Sequence, residues 1–534
     1  MRTPTRAGAA ARTRTRTTAA VAAVASLVLL ATAACTGADR AAPGPAPAKA
    51  TPYVPGTLRV LASSELADMK PVLERVEKDT GIKVRPTYMG TLDAVDLLAR
   101  RGAKDAYDAV WLSSNDYLRL RPDAARQIVS QTPVMSSPVA IGVKNETVGK
   151  LGWKPDTVTW SDIENAVADG KLTYGMTDPS RSNSGFSTLI SVASGLSGAQ
   201  SALTDADVAR ATPRLKRFFA GQKLTSGSSG WLATAYDRRG DVDALLNYES
   251  VLKSRPDLTV IRPRDGVVTA DYPLSSLAST GTDVRDDVRR LTDALRTPDV
   301  QRLITERTLR RPVVASVPPA AGLDTTRRRE LPFPGSRSVA VGLLDAYEND
   351  LRRPSRTVYV LDTSGSMEGD RLDRLKTALT ELTGDFRDRE EVTLMPFGSD
   401  VKSVRTHVVR PADPKAGLDG IRADTRKLSA AGETAIYTSL RRAYEHLGAV
   451  DRDTFTSIVL MTDGENTEGA SPADFDDFYG RLPDAARHIP VFPILFGDSD
   501  RDELEHIAEV TGGRLFDATR GSLDGAFEEI RGYQ

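Results

Sequence analysis

One cysteine, four histidines and only 6% aromatic residues stand among the 534 positions of this chain. A lone cysteine excludes an internal disulfide, so the folded parts are held by apolar cores, which a chain of this length can supply. His407, His446, His488 and His506 are scattered without the spacing of a zinc site. No Walker P-loop, H-E-x-x-H or G-x-S-x-G segment occurs, and catalysis is not expected. No basic stripe interleaved with aromatics is present either. With a formal charge of −1, the chain has no general attraction to nucleic acid.

The charge that exists is unevenly placed. Arg2, Arg6, Arg12, Arg14 and Arg16 precede the first acid, Asp39, and an uncharged Ala/Val/Leu run over 17–34 leads to Cys35. This order reads as an export signal over 1–34. Its end, Leu30-Ala31-Thr32-Ala33-Ala34-Cys35, resembles a bacterial lipobox. The resemblance implies that Cys35 is lipidated and anchors the protein to the outer face of the cell membrane. The other reading is an uncleaved span, since about 18 apolar residues is near the lower limit for crossing a bilayer. Residues 35–56 are Ala/Pro-rich and predict a semi-rigid tether extending by about 3.1 Å per residue.

Residues 57–320 form the first folded region. Short strands at 58–61, 82–88 and 107–111 alternate with helical patterns at 65–79 and 91–101, a βαβαβ rhythm that predicts a parallel sheet. Two strands run into paired serines, Ser63-Ser64 and Ser113-Ser114, where hydroxyls meet helix N-terminal amides. This order, the strand 138–143 and the segment Asp178-Pro179-Ser180-Arg181-Ser182-Asn183-Ser184-Gly185 resemble bacterial extracellular solute-binding proteins. The resemblance implies a two-lobed α/β periplasmic-binding-protein-like domain. Ser63, Ser64, Ser113, Ser114, Ser137, Ser184 and Tyr248 would face its cleft and a small solute. Alternatively the serines are helix N-caps, each stabilising by about 1 kcal/mol. Arg289, Arg290, Arg296, Arg302, Arg307, Arg310 and Arg311 alternate with acids and predict a solvated face. Residues 321–354 are expected to connect the two regions, with a helix at 338–350.

The second region, 355–534, carries the most chemistry. Behind the apolar run Val358-Tyr359-Val360-Leu361 stands Asp362-Thr363-Ser364-Gly365-Ser366, one carboxylate and two hydroxyls at alternate positions. Hard cations such as Mg²⁺ and Mn²⁺ take oxygen ligands at about 2.0–2.2 Å and keep several waters, so such a cluster can hold one. Thr434 heads a helical pattern, and Asp463 follows the apolar run Ile458-Val459-Leu460. Strands at 392–397, 407–409, 456–461, 491–496 and 514–516 alternate with helical patterns at 371–386, 434–447, 472–486, 502–510 and 523–530, a doubly wound sheet. Asp362, Ser364, Ser366, Thr434 and Asp463 together resemble the metal-ion-dependent adhesion site of von Willebrand factor A (VWA) domains. The resemblance implies a Rossmann-like fold and bound Mg²⁺ (or Mn²⁺/Ca²⁺). Ser364 and Ser366 would coordinate directly, Asp362 and Asp463 directly or through water, and Thr434 in either way. One coordination position would stay open to a partner's carboxylate.

Catalytic relatives of the same loop fail on particular residues. The Asp-Thr-Gly of aspartic proteases is broken here by Ser364 and has no second copy, and a haloacid-dehalogenase phosphatase would need an aspartate at position 364. The expected function is therefore that of a cell-surface lipoprotein binding a protein through a divalent metal, with the solute-binding-like module as sensor or spacer. The alternative is the substrate-binding receptor of an ABC-type transport system with an accessory VWA domain.

Overall fold

In the strand Ser355–Asp362 alternate side chains enter different cores. Val358 and Val360 join Ile458, Leu460 and Leu440 on one face, whereas Tyr359 and Leu361 join Val459, Met461 and Leu375 on the other. A strand covered on both faces needs an unbroken apolar run, which is what the sequence supplies. The computed structural model describes residues 54–100, 105–384, 386–449, 451, 453–519 and 523–533. The expected export signal, Cys35 and nearly all of the Ala/Pro-rich tether lie outside the described residues.

The second region is one six-stranded sheet in the order Arg405–Val409, Glu390–Phe397, Ser355–Asp362, Phe455–Thr462, Val491–Leu495, Phe516–Asp517. Only the edge strand Arg405–Val409 runs antiparallel. Helices Asp370–Leu382 and Leu523–Arg531 cover one face, and Ile436–Leu447, Pro472–Gly480 and Arg501–Thr511 the other. The doubly wound arrangement is thus present. Its order reverses between Ser355–Asp362 and Phe455–Thr462, the crevice where such sheets gather ligands.

The first region has two sheets. One is ordered Lys83–Met89, Thr57–Ser63, Ala109–Trp111, Pro273–Leu277, Ile128–Pro133, its first three strands parallel. The other is ordered Thr269–Ala270, Ser137–Lys144, Ala244–Tyr248, Tyr174–Thr177, Gln222–Ser226, with Leu258–Ile261 also paired to Ser137–Lys144. The chain passes from the first sheet to the second after Pro133 and back after Ala270. Two crossings between two α/β lobes make the two-lobed periplasmic-binding-protein fold.

Several expectations need correction. The helix over 65–79 opens as a 3₁₀ turn, Ser64–Met69, and becomes α-helical at Lys70–Thr80, where Pro71 fits the first turn. The pattern over 472–486 stops at Gly480, ahead of Pro483, and resumes only as the short turn Ala486–His488. The arginine-rich stretch is not a solvated face throughout. It splits into Thr282–Leu295 and Pro298–Thr308, and Leu309 then turns left-handed at φ 55°. That turn sends Arg310 inward, 1% exposed, onto Asp68 at 2.7 Å and over the Tyr272 ring at 4.8 Å. Arg311 is held by both carboxylate oxygens of Glu249 at 2.7 and 2.8 Å.

The helix of the connecting segment, Arg337–Ala346, begins at the Ser336 cap and runs on through a π-helical turn, Tyr347–Leu351. Val339, Ala340, Leu343 and Tyr347 sit in the core of the first region, and the Tyr347 hydroxyl accepts from Gln222 at 3.0 Å. The same segment reaches the second region through Glu348, which accepts from Arg387 Nε at 2.6 Å.

Candidate functional site

Parallel pairing brings the distant acidic segments together. Leu361 lies opposite Met461, so Asp362 and Thr462 end their strands side by side, and the Thr462 hydroxyl donates to Asp362 Oδ2 at 2.6 Å. Asp362 Oδ1 accepts the backbone amide of Ser364 at 2.8 Å, which folds the loop back over the strand end. The Ser364 and Ser366 hydroxyls share a hydrogen bond of 3.0 Å, and Ser366 donates to Asp463 Oδ1 at 2.8 Å. Four of the five expected metal-site residues are thus linked by one run of hydrogen bonds, which Asp362 enters through the Ser364 amide. Thr434 stands to one side, its Oγ1 3.9 Å from where a Cβ on Gly464 would be. Its backbone is pinned by Thr467, whose hydroxyl accepts from Thr434 N at 3.0 Å.

The walls of this cluster are tight. Gly365 N donates to Gly432 O at 2.8 Å, joining the first loop to the segment that carries Thr434. Gly497 has φ 62°, and a Cβ there would lie 2.9 Å from Asp463 Cβ, so only glycine lets the neighbouring loop approach that carboxylate. Asp362 is fully buried. Burial pushes its carboxyl above the usual range, against the hydrogen bonds from Ser364 and Thr462 that favour the charged form, and the Asp463 charge adds to the rise. A buried acid close to a second acid favours a nearby cation, and Arg371 already supplies one to Asp463. The donor set fits a hard one, being two carboxylates and two hydroxyls with no nitrogen or sulfur.

The other seven expected contact residues fall into several groups. Ser63 shares a hydrogen bond of 2.7 Å with Thr91 and accepts the Ser113 amide at 2.9 Å, while Ser113 donates to Glu65 at 2.5 Å. Tyr248 comes from the other sheet and lies against Ser113 and the Glu65 carboxylate, with its hydroxyl accepting from Asn183 at 2.8 Å. Ser63, Ser113 and Tyr248 therefore meet where the lobes meet. Ser184 belongs to a hydroxyl cluster with Thr177, Ser182 and Ser229. Ser137 pairs with Ser250, Ser114 accepts the Asp116 amide, and Ser64 is half-buried at the head of its 3₁₀ turn. Neither Ser63 nor Ser182 makes a side-chain cap bond to the helix it precedes.

Comparison with known proteins assigns both regions. Residues 58–307 match the family model of bacterial extracellular solute-binding proteins, and residues 357–465 that of the von Willebrand factor type A domain. The chain joins a solute-binding-protein domain to a type A domain. Over 199 residues it is 31% identical to inter-alpha-trypsin inhibitor heavy chain H1 of Bos taurus, covering 35% of this chain and 21% of that one. The chain thus spans about a fifth of the length of such relatives. An uncharacterized protein of Synechocystis is 30% identical over 173 residues, 32% of this chain and 39% of that one. Among solved structures, the periplasmic binding protein AfuA of Actinobacillus pleuropneumoniae, with fructose-6-phosphate bound, superposes with a TM-score of 0.45 at 12% identity, covering 55% of this chain and 98% of AfuA. A periplasmic thiamin binding protein gives 0.43 at 13% identity over 56% and 98% of the respective chains.

In the type A domain, sequence reasoning missed three groups at or beside the expected metal-site residues. Thr462 is the polar residue that ends a fully buried strand, a signal that could have been read. Lys402 donates to Thr363 O at 2.6 Å, behind the loop. Arg371, from the helix after the loop, donates to Asp463 Oδ2 and to Asp498 at 2.7 Å. Its guanidinium sets a positive charge against Asp463, where it opposes an incoming cation. Arg371→Gln is expected to tighten Mn²⁺ binding by roughly fivefold, the weight of about 1 kcal/mol for a partly exposed ion pair. Titration of Mn²⁺ followed by electron paramagnetic resonance measures this, and unchanged or weaker binding would count against opposition by Arg371.

Proposed function

We propose that the type A domain binds a carboxylate of a protein partner through a divalent cation held by Asp362, Ser364, Ser366, Thr434 and Asp463. The observation that carries this reading is the hydrogen-bonded run from Asp362 through Ser364 and Ser366 to Asp463 at the switch point of the sheet. A bound Mg²⁺, Mn²⁺ or Ca²⁺ would supply a Lewis-acidic position for an incoming carboxylate. The two acids supply the charge, the Ser364 and Ser366 hydroxyls add neutral ligands, and Thr434 closes the site from the side of Gly464. The protein is exported and lipid-anchored at Cys35, and its solute-binding-protein domain acts as sensor or spacer.

The test is affinity capture of partners by the full chain in Mg²⁺ and in EDTA. A protein retained in Mg²⁺, released by EDTA and absent with Asp463→Asn is the expected result. Capture indifferent to EDTA and to this substitution would sink the reading.

The junction of the lobes favours a second reading, a transport receptor, because Ser63, Ser113, Glu65 and Tyr248 gather hydroxyls and a carboxylate between them. A thermal-shift screen of the full chain against sugars, amino acids and oxyanions addresses it. One saturable micromolar ligand, lost with Ser113→Ala, would support transport.

A further inference from the structure

Lobes joined only by short crossings of the chain are free to rotate about them. Side chains that bridge the crossings remove that freedom. In the first domain one crossing runs between Pro133 and Ser137 and the other between Ala270 and Pro273. Beyond them the chain passes between the lobes once more. The helix Pro298–Thr308 packs on Ser64–Met69 and Lys70–Thr80 of the first lobe, whereas the connecting segment after it is hydrogen-bonded to Val267 and Gln222 of the second.

Arg310 and Arg311 stand on this third passage. Arg311 exchanges two backbone hydrogen bonds with Ser136 of the first crossing, at 2.9 and 2.7 Å, and Arg310 lies over the Tyr272 ring of the second. Adjacent residues of an extended segment point to opposite sides, so the two guanidinium groups reach opposite ways. Arg310 Nη1 donates to both oxygens of Asp68 at 2.8 and 2.7 Å, and Nη2 to Glu65 O at 3.1 Å, all on the first lobe. Arg311 instead holds Glu249, which begins the helix after the second-lobe strand Ala244–Tyr248 and also lies 3.4 Å from Arg262. Gln301 completes the set. Fully buried, it donates from Nε2 to Val134 O of the first crossing at 2.7 Å and accepts Val313 N at 2.8 Å.

We propose that Arg310 and Arg311 form a clasp across the hinge that holds the two lobes in one arrangement, so that the solute-binding-protein domain works as a rigid spacer. Rotation of the lobes draws Asp68 away from Arg310 or Glu249 away from Arg311. Arg310 and Glu249 are each 1% exposed, and separating a buried pair disfavours the separated state by more than about a hundredfold. The consequence reaches the type A domain. Its connecting segment is fastened to the second lobe, while the strand Thr57–Ser63, which follows the expected tether, belongs to the first. A hinge that does not turn fixes the type A domain relative to that strand. This rests on the reading of the first domain as sensor or spacer and chooses the second role.

Pulsed electron paramagnetic resonance on the full chain in EDTA tests the clasp. Spin labels are attached through Lys78→Cys on the first lobe and Lys216→Cys on the second, both exposed positions, in a Cys35→Ser background. With the clasp intact, one narrow distance is expected. Asp68→Ala and, separately, Glu249→Gln should each bring up a second distance carrying about a tenth of the population or more, as a restraint of that size is lost. Thermal midpoints check that the variants fold. Asp68 is 46% exposed, so Asp68→Ala spares the core and decides alone should Glu249→Gln not fold. A second distance in either variant supports the clasp. Two distances or a broad distribution with the clasp intact overturns the proposal, and so does an unchanged single distance in the folded variants. The labels report only on the first domain and EDTA keeps the metal site empty, so failure here leaves partner capture in Mg²⁺ to be judged by itself.

Discussion

Asp362→Asn is expected to lower the Mn²⁺ affinity of the full chain about 100-fold while leaving its thermal midpoint unchanged or slightly raised. The two halves of this prediction come from one set of contacts. An asparagine Oδ1 can still accept the Ser364 amide, and its Nδ2 can face the Thr462 oxygen. The Thr462 hydroxyl then turns to Gly464 O, already 3.2 Å away. No hydrogen bond need be lost. What disappears is a negative charge buried close to a second one, which is unfavourable in the cation-free protein and needed in the cation-bound one. On the proposed function, cation binding and stability therefore pull on Asp362 in opposite directions. Calorimetric titration with Mn²⁺, beside a melting curve in EDTA, reads both. Undiminished Mn²⁺ affinity would remove Asp362 from the site, and a large fall in the midpoint would make it a structural residue.

The same cluster shows how far the sequence could be read. Asp362, Ser364, Ser366 and Asp463 were legible because each pair of segments ends an apolar run, and parallel strands carry the ends of such runs to one edge of the sheet. Arg371 was not, since it lies outside the expected metal-binding pattern and its role depends on the pitch of the next helix. Thr462, a polar residue ending a buried strand, offered a signal that was passed over. The solute-binding-protein lobes were legible as a βαβαβ rhythm, but the pairing of their serines was not. Ser63 and Ser113 bond across a sheet and Ser184 bonds within a hydroxyl cluster, and no one-dimensional pattern separates the two. Arg310 shows the limit most clearly. Its neighbours read as a charged helix face, and a single left-handed residue, Leu309, turned it into the core.

A different burial explains how the connecting segment is fastened to the type A domain. Glu390 begins the strand Glu390–Phe397 with 1% exposure, between Arg352 of the connecting segment and Arg531 of the last helix. Arg531 donates to both of its oxygens, at 2.8 and 2.6 Å, and its guanidinium lies 5.1 Å over the Phe386 ring. One carboxylate thus binds the entry of the domain, its sheet and its C-terminal helix to one another. Similar fastening runs through Glu348 and Arg387 on the surface side.

Glu390→Gln is accordingly expected to destabilise the fold by about 3–5 kcal/mol, because it leaves two buried guanidinium groups without their counter-charge. For a domain of this size that is on the order of 10 °C in the calorimetric midpoint. The wild-type carboxylate also predicts a pH dependence. Burial alone would raise the Glu390 carboxyl, but the charges of Arg531 and Arg352 outweigh it and hold the group below the ordinary glutamate range. A carboxylate depressed by folding adds stability that is complete above its unfolded value of about 4.3 and is lost as the pH falls through its folded value. The difference in midpoint between wild type and Glu390→Gln should therefore be widest at neutral pH and shrink in acid below that value. Replacing the carboxylate and both arginines together with apolar residues of similar volume should cost much less than the single change, since no orphaned charge remains. If the single substitution were mild and its effect independent of pH, the triad would not hold the connecting segment to the type A domain, and that fastening would rest on Glu348 and Arg387 instead.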